Sequence, residues 1–105
     1  MDKVRERIKK ISRLIVEEVD PEEILLFGSR AKGRARIGSD IDIAVRTENK
    51  LSLRDKRKLK EKVDVESGIY TVDLVFWEEL DGEFRDKIRK EGILIYEKKR
   101  GFALS

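Results

Sequence analysis

The sequence predicts a small α/β fold: a central mixed β-sheet of about four strands flanked by helices. Three observations carry this. Apolar residues recur at three- and four-residue spacing in three stretches, the pattern of helices with one buried face. Short runs rich in β-branched and aromatic residues lie between and after them and read as strands. The chain has 105 residues, a length that fits one domain spanning residues 1–105 and one modest core.

Residues 3–19 form the first predicted helix, with Val4, Ile8, Ile11, Ile15 and Val19 on one face. Asp20-Pro21 ends it, because the residue before proline is pushed out of the helical region. Ile24 to Phe27 is a short buried strand that stops at Gly28-Ser29. The segment to Gly38 is glycine-rich and basic, and Ile37 is its one large apolar residue. It reads as a loop, with room for a helical turn near Ala31 and for either a long hairpin or a short crossover. Asp40 to Val45 alternates, with Ile41, Ile43 and Val45 on the core face and Asp40, Asp42 and Ala44 on the other.

Ser52 fits a helix N-cap, and the helix runs to about Ser67 with Gly68 as its stop. Ile69 to Trp77 is the longest strand signal. Leu80, Phe84 and Ile88 mark a last helix ending at Gly92, and Ile93 to Tyr96 a final strand. Residues 97–105 read as a loose tail.

Composition removes whole classes of chemistry. Without cysteine there is no disulfide, thiolate nucleophile or cysteine-held zinc. Without histidine the usual general base and the commonest transition-metal ligand are gone. Catalysis is left to carboxylates, lysines, hydroxyls or a hard cation held by oxygen. No apolar run approaches the roughly 20 residues of a membrane span, and the N-terminus lacks a signal peptide's apolar stretch, so a cytoplasmic location is expected. Charged residues reach 45%, a composition resembling that of hyperthermophile proteins. Net charge is only +3, so the placement of charge matters more than its sum. Arg30, Lys32, Arg34 and Arg36 occupy a loop with no acid before Asp40, while the basic stretch Arg54–Lys62 fits the wet face of a helix.

Three features carry the chemistry. Gly28-Ser29 lets the chain turn sharply after a strand and offers N–H groups and a hydroxyl to an anion; a plain turn is the alternative. Neither a P-loop nor a dinucleotide fingerprint is present, since Arg34-Ala35 follow Gly33 and no Gly-x-Gly-x-x-Gly occurs. Asp40-Ile41-Asp42 puts two carboxylates on one strand face, roughly 6–7 Å apart, where oxygen donors suit Mg²⁺. Asp73 is a lone acid in the apolar run Val72–Phe76 and faces Asp40 and Asp42 if the two strands are neighbours; a salt bridge to a lysine is the alternative.

Together, Gly28-Ser29, the basic loop to Ser39, Asp40-x-Asp42 and a later strand aspartate resemble the minimal nucleotidyltransferases of the DNA polymerase beta superfamily. Element order and length match across about residues 1–96. The resemblance implies a polymerase-beta-palm-like fold and Mg²⁺-dependent transfer of a nucleoside monophosphate, AMP from ATP, to an acceptor hydroxyl. It implies nucleotide contacts by Gly28 and Ser29, with Arg30 and Ser39 in the same loop, and one or two Mg²⁺ ions on Asp40, Asp42 and Asp73. Asp73 is expected as base or second metal ligand. It also implies an all-helical HEPN-type toxin partner, with the chain as antitoxin and a tyrosine of the toxin as acceptor. Leu51, Trp77 and Phe102 fall outside the core periodicity and are candidate partner contacts. For Tyr70 and Trp77, core packing is preferred over stacking on a nucleotide base.

Two other classes compete. A non-catalytic nucleotide- or partner-binding module keeps the fold without turnover. A basic nucleic-acid binder has the arginines but no use for an Asp-x-Asp pair aimed into the same cleft.

Overall fold

The structure is a computed structural model that describes residues 3–36 and 38–103, so Ile37 and the last two tail residues lie outside the described residues. The first helix, α1 (Lys3–Val19), buries Ile8, Ile11 and Ile15, as its spacing requires. Ser12 lies among them because its hydroxyl donates back to the Ile8 carbonyl at 2.7 Å. Strand β1 (Glu23–Phe27) begins one residue earlier than its apolar run, because Glu23 is held by two arginines at the buried end of the sheet. A single helical turn, α2 (Gly28–Ala31), opens the glycine-rich loop. The loop returns the chain into β2 (Ile41–Arg46), antiparallel to β1, so the connection is a long hairpin.

Ser52 caps α3 (Leu53–Ser67) by accepting the Asp55 N–H at 3.0 Å, and Gly68 leaves the helix at φ +64°. The next strand is shorter than predicted. Tyr70 N–H donates to the Ser67 carbonyl, so the residues after the helix form a turn, and β3 covers only Val72–Phe76. Ile69 stands 93% exposed instead of extending that strand. Trp77–Glu79 is a 3₁₀ turn. Asp81 then caps α4 (Gly82–Glu91), so Leu80 precedes the helix it was expected to start. The tail corrects a further expectation. Glu97 belongs to β4 (Ile93–Glu97), and Gly101–Phe102 pairs with it as a fifth strand, β5, with the Phe102 and Tyr96 rings 4.9 Å apart.

The sheet order is β3-β2-β1-β4-β5, parallel between β2 and β3 and antiparallel elsewhere. α1 and α3 cover one face over the main core of Ile11, Ile15, Ile24, Ile41, Ile43, Leu59 and Phe76. α4 covers part of the other face over a smaller cluster around Leu25, Ala44 and Ile88. Ala44 is therefore fully buried, although its strand face also carries the polar Asp42. At one end of the sheet Glu23 binds Arg46 at 2.6 Å and Arg89 at 2.8 Å. Among the described residues, no helix is long and apolar enough to cross a membrane.

Candidate active site

The other end of the sheet gathers the residues singled out by the sequence. Strand register does most of this. Phe27 is opposite Asp42, and Asp42 is opposite Asp73. Residues paired across a sheet share a face, so both carboxylates project on the face that also carries Phe27, whose ring meets Phe84 of α4. Asp40 stands two residues ahead of Asp42, exposed at the loop's exit.

Gly28 is required by two constraints. Its φ of +74° is the left-handed region that glycine enters without cost, and a Cβ there would lie 2.1 Å from Asp42 Oδ2. The turn thus packs its bare backbone directly on the central carboxylate. The N–H groups of the first turn of α2 have no side-chain cap. Ser29 is half-buried and its carbonyl accepts the Arg34 N–H at 2.9 Å.

Arg30 ties the two ends of the loop together. Its Nη2 donates to the Ser39 carbonyl at 2.7 Å, its guanidinium lies 5.9 Å from the Tyr70 ring centroid, and its Nε is buried without a partner. The Ser39 hydroxyl accepts the Arg36 N–H at 2.8 Å. Lys32 pairs with Glu91 at 2.9 Å, which fastens the loop to the end of α4. Arg34 and Arg36 have exposed side chains. Tyr70 packs against the main core and Trp77 against the smaller cluster, in agreement with the packing preferred for both.

Burial raises the Asp42 pKa above the usual carboxylate value, and the charges of Asp73 and then Asp40 raise it further; Arg30 partly opposes them. Among the described residues no three acidic side chains close into a ready metal cage. The donor chemistry nevertheless fits Mg²⁺. The acids supply only oxygen, they repel one another, and a hard cation between them would relieve that repulsion. Asp40, Asp42 and Asp73 are the residues that could hold it.

Sequence reasoning could not supply the Asp42–Asp73 register or the Arg30–Ser39 and Arg30–Tyr70 contacts. The only signal for Tyr70 was its place between the helix-ending Gly68 and the strand that carries Asp73.

The structure thus packs a glycine turn on the second acid of the Asp-x-Asp pair and sets a third aspartate in register with it on the parallel neighbour. The family model described as "Polymerase beta, Nucleotidyltransferase" matches residues 9–101. The chain belongs to this family. It is 34% identical over 91 residues to the probable protein adenylyltransferase MntA of Haemophilus influenzae, covering 86% of this chain and 80% of that one. A solved toxin–antitoxin structure with AMP-PNP contains a chain that superposes with a TM-score of 0.74 at 27% identity, over 85% of this chain and 72% of the other. A complex of the tri-AMPylated Shewanella oneidensis HEPN toxin with an MNT antitoxin shares the fold, with a TM-score of 0.69 at 23% identity over 90% and 72% of the two chains.

Proposed function

We propose that the chain transfers AMP from ATP to a hydroxyl of a protein acceptor, in a Mg²⁺-dependent reaction, as the antitoxin of an all-helical HEPN-type toxin. The observation that carries this reading is the register that sets Asp73 beside Asp42 under the Gly28 turn. The kinship with MntA and with the toxin–antitoxin structures supports AMP as the group transferred and a HEPN protein as partner.

In this reading the uncapped N–H groups of α2 and the Ser29 hydroxyl hold triphosphate oxygens. Asp40 and Asp42, with Asp73 as a further ligand, would hold Mg²⁺, which would supply positive charge to offset the negative charge of the triphosphate. Arg30 keeps Ser39, and with it Asp40, at the turn. Asp73 receives the proton of the attacking hydroxyl, a task left to a carboxylate in a chain without histidine. Positioning and charge stabilisation then account for most of the rate.

Calorimetric titration of ATP, with and without Mg²⁺, into the wild type and an Asp40→Asn/Asp42→Asn variant tests the reading. Magnesium-dependent binding by the wild type alone is expected. Equal binding by the variant, or AMP transfer by it, would sink the assignment and leave the second reading, a partner-binding module of the same fold.

A further inference from the structure

Strand register also brings an uncharged residue into the candidate site. The Ile41 N–H donates to the Thr71 carbonyl at 2.9 Å, so the ladder that pairs Ile41 with Val72 and Asp42 with Asp73 runs one residue further out. There Asp40 and Thr71 are neighbours. Side chains alternate along a strand. Val72 and Leu74 pack on the main core under α1 and α3, so Thr71 and Asp73 stand on the opposite face, the one that carries Asp42. Ile41 likewise points into that core and leaves Asp40 on the face of Asp42.

The four side chains spring from a frame two residues long and two strands wide, about 6.6 Å by 4.8 Å. Three corners are carboxylates, and the fourth is the Thr71 hydroxyl. Thr71 and Asp40 are both exposed, and among the described residues neither side chain makes a hydrogen bond or ion pair.

Resting on the Mg²⁺-dependent reaction proposed above, we infer that Thr71 is a positioning residue of the cation site. With Mg²⁺ bound, its hydroxyl would donate to the Asp40 carboxylate and accept from a water of the ion's shell. An ionised carboxylate can only accept, whereas a hydroxyl has one donor and two lone pairs. Thr71 is therefore the one corner of the frame able to make both bonds. Mg²⁺ gives up its waters reluctantly and keeps several beside one or two carboxylates, so acceptors for those waters are part of any such site. A fourth carboxylate at this corner would add repulsion to a face that already holds three. An apolar side chain would leave the Asp40 carboxylate without a donor. Arg30 keeps the Asp40 backbone at the turn through Ser39, and Thr71 fixes its side chain.

Thermal melts along a Mg²⁺ series at constant ionic strength, without nucleotide, read the cation site in the chain alone. A ligand that binds only the folded form raises Tm by mass action. Thr71→Val keeps the branched shape and the strand preference but removes the hydroxyl, and Thr71→Ser keeps the hydroxyl. Each variant is compared with its own metal-free melt, so an effect on the fold itself cancels. The wild type is expected to gain Tm with Mg²⁺, and Asp40→Asn/Asp42→Asn to gain none. Groups that orient a metal ligand are typically worth 10–100-fold in affinity, so Thr71→Val should need about ten-fold more Mg²⁺ for the same gain and Thr71→Ser no more than about two-fold.

Three results overturn the inference: the same Mg²⁺ requirement in Thr71→Val as in the wild type, a requirement in Thr71→Ser as high as in Thr71→Val, or no gain with Mg²⁺ in the wild type. ATP binding, read separately by calorimetry, decides the transfer reaction itself, so the role of Thr71 can fail while that reading stands.

Discussion

Replacing Gly28 and Gly33 by alanine, one at a time, separates backbone strain from contact with the site. Both glycines hold nearly the same positive φ, +74° and +70°. A Cβ at Gly33 meets nothing within 4 Å, whereas at Gly28 it falls 2.1 Å from Asp42 Oδ2 and 3.1 Å from Asp42 Cγ. Holding alanine in the left-handed region costs about 1 kcal/mol at either place. On a domain of this size that lowers Tm by about 4–8 °C. For Gly28→Ala the Asp42 carboxylate must also withdraw from 2.1 Å to at least 3.4 Å to reach ordinary contact, and a misplacement of about 1 Å is already worth about 100-fold in a reacting site. Thermal melts and ATP titrations in Mg²⁺ read the two effects. Similar melting losses are expected for both variants, with ATP binding lost in Gly28→Ala and kept in Gly33→Ala. If the two bind ATP equally well, Asp42 is not where the nucleotide site is built.

Other expectations follow from the charges. Asp42 has a raised folded-state pKa, so its ionisation disfavours the fold: the benefit is present below the unfolded carboxylate range and is lost as pH rises through the folded value. Without Mg²⁺, Asp42→Asn should therefore melt higher than wild type at pH 7 while binding no ATP, and the gap should close in acid; a lower melt at neutral pH would contradict this. Glu23 has the opposite sign. Its two arginines lower its pKa from 4.5 to about 2, so it stabilises the fold above pH 4.5 and loses that effect as pH falls through 2. Glu23→Gln should cost about 2 kcal/mol in urea unfolding at pH 7, the scale of a charge-assisted hydrogen bond, and progressively less in acid. The lysine-, arginine- and glutamate-rich composition, with ion pairs such as Lys62–Glu18 at 2.7 Å, predicts a melt above the 45–65 °C of ordinary mesophile domains; a midpoint inside that range would contradict it.

The parts of this molecule that depend on local pattern were legible in its sequence. The α1 stripe, the Ser52 cap and the Gly68 stop each follow from residues within a few positions of one another, and the structure reproduces them. The Asp40-x-Asp42 pair and the glycine turn were legible because their spacing along the chain is itself the signal. Pairing between distant segments was not. Asp73 meets Asp42 through a parallel register that a crossover helix sets, and no local pattern encodes that offset. Ile69 has the composition of a strand residue but follows a helix stop whose turn occupies it. Gly101-Phe102 is too short to show a period and becomes a strand only because the β4 edge is beside it. The resemblance implied a nucleotide contact for Arg30; its bond to Ser39 and its place 5.9 Å from the Tyr70 ring centroid depend on a loop closure that no local pattern encodes.

The Glu23 triad has a consequence for how the molecule breathes. It fastens β1, β2 and α4 at one end of the sheet with opposite charges in contact, while the far end sets like charges side by side. Opening should therefore run as a zipper, fraying from Ile41 and Val72 and reaching Ile24 and Val45 last. A chain built this way can loosen the end that must admit and release ligands without risking the cooperative unit that keeps it folded.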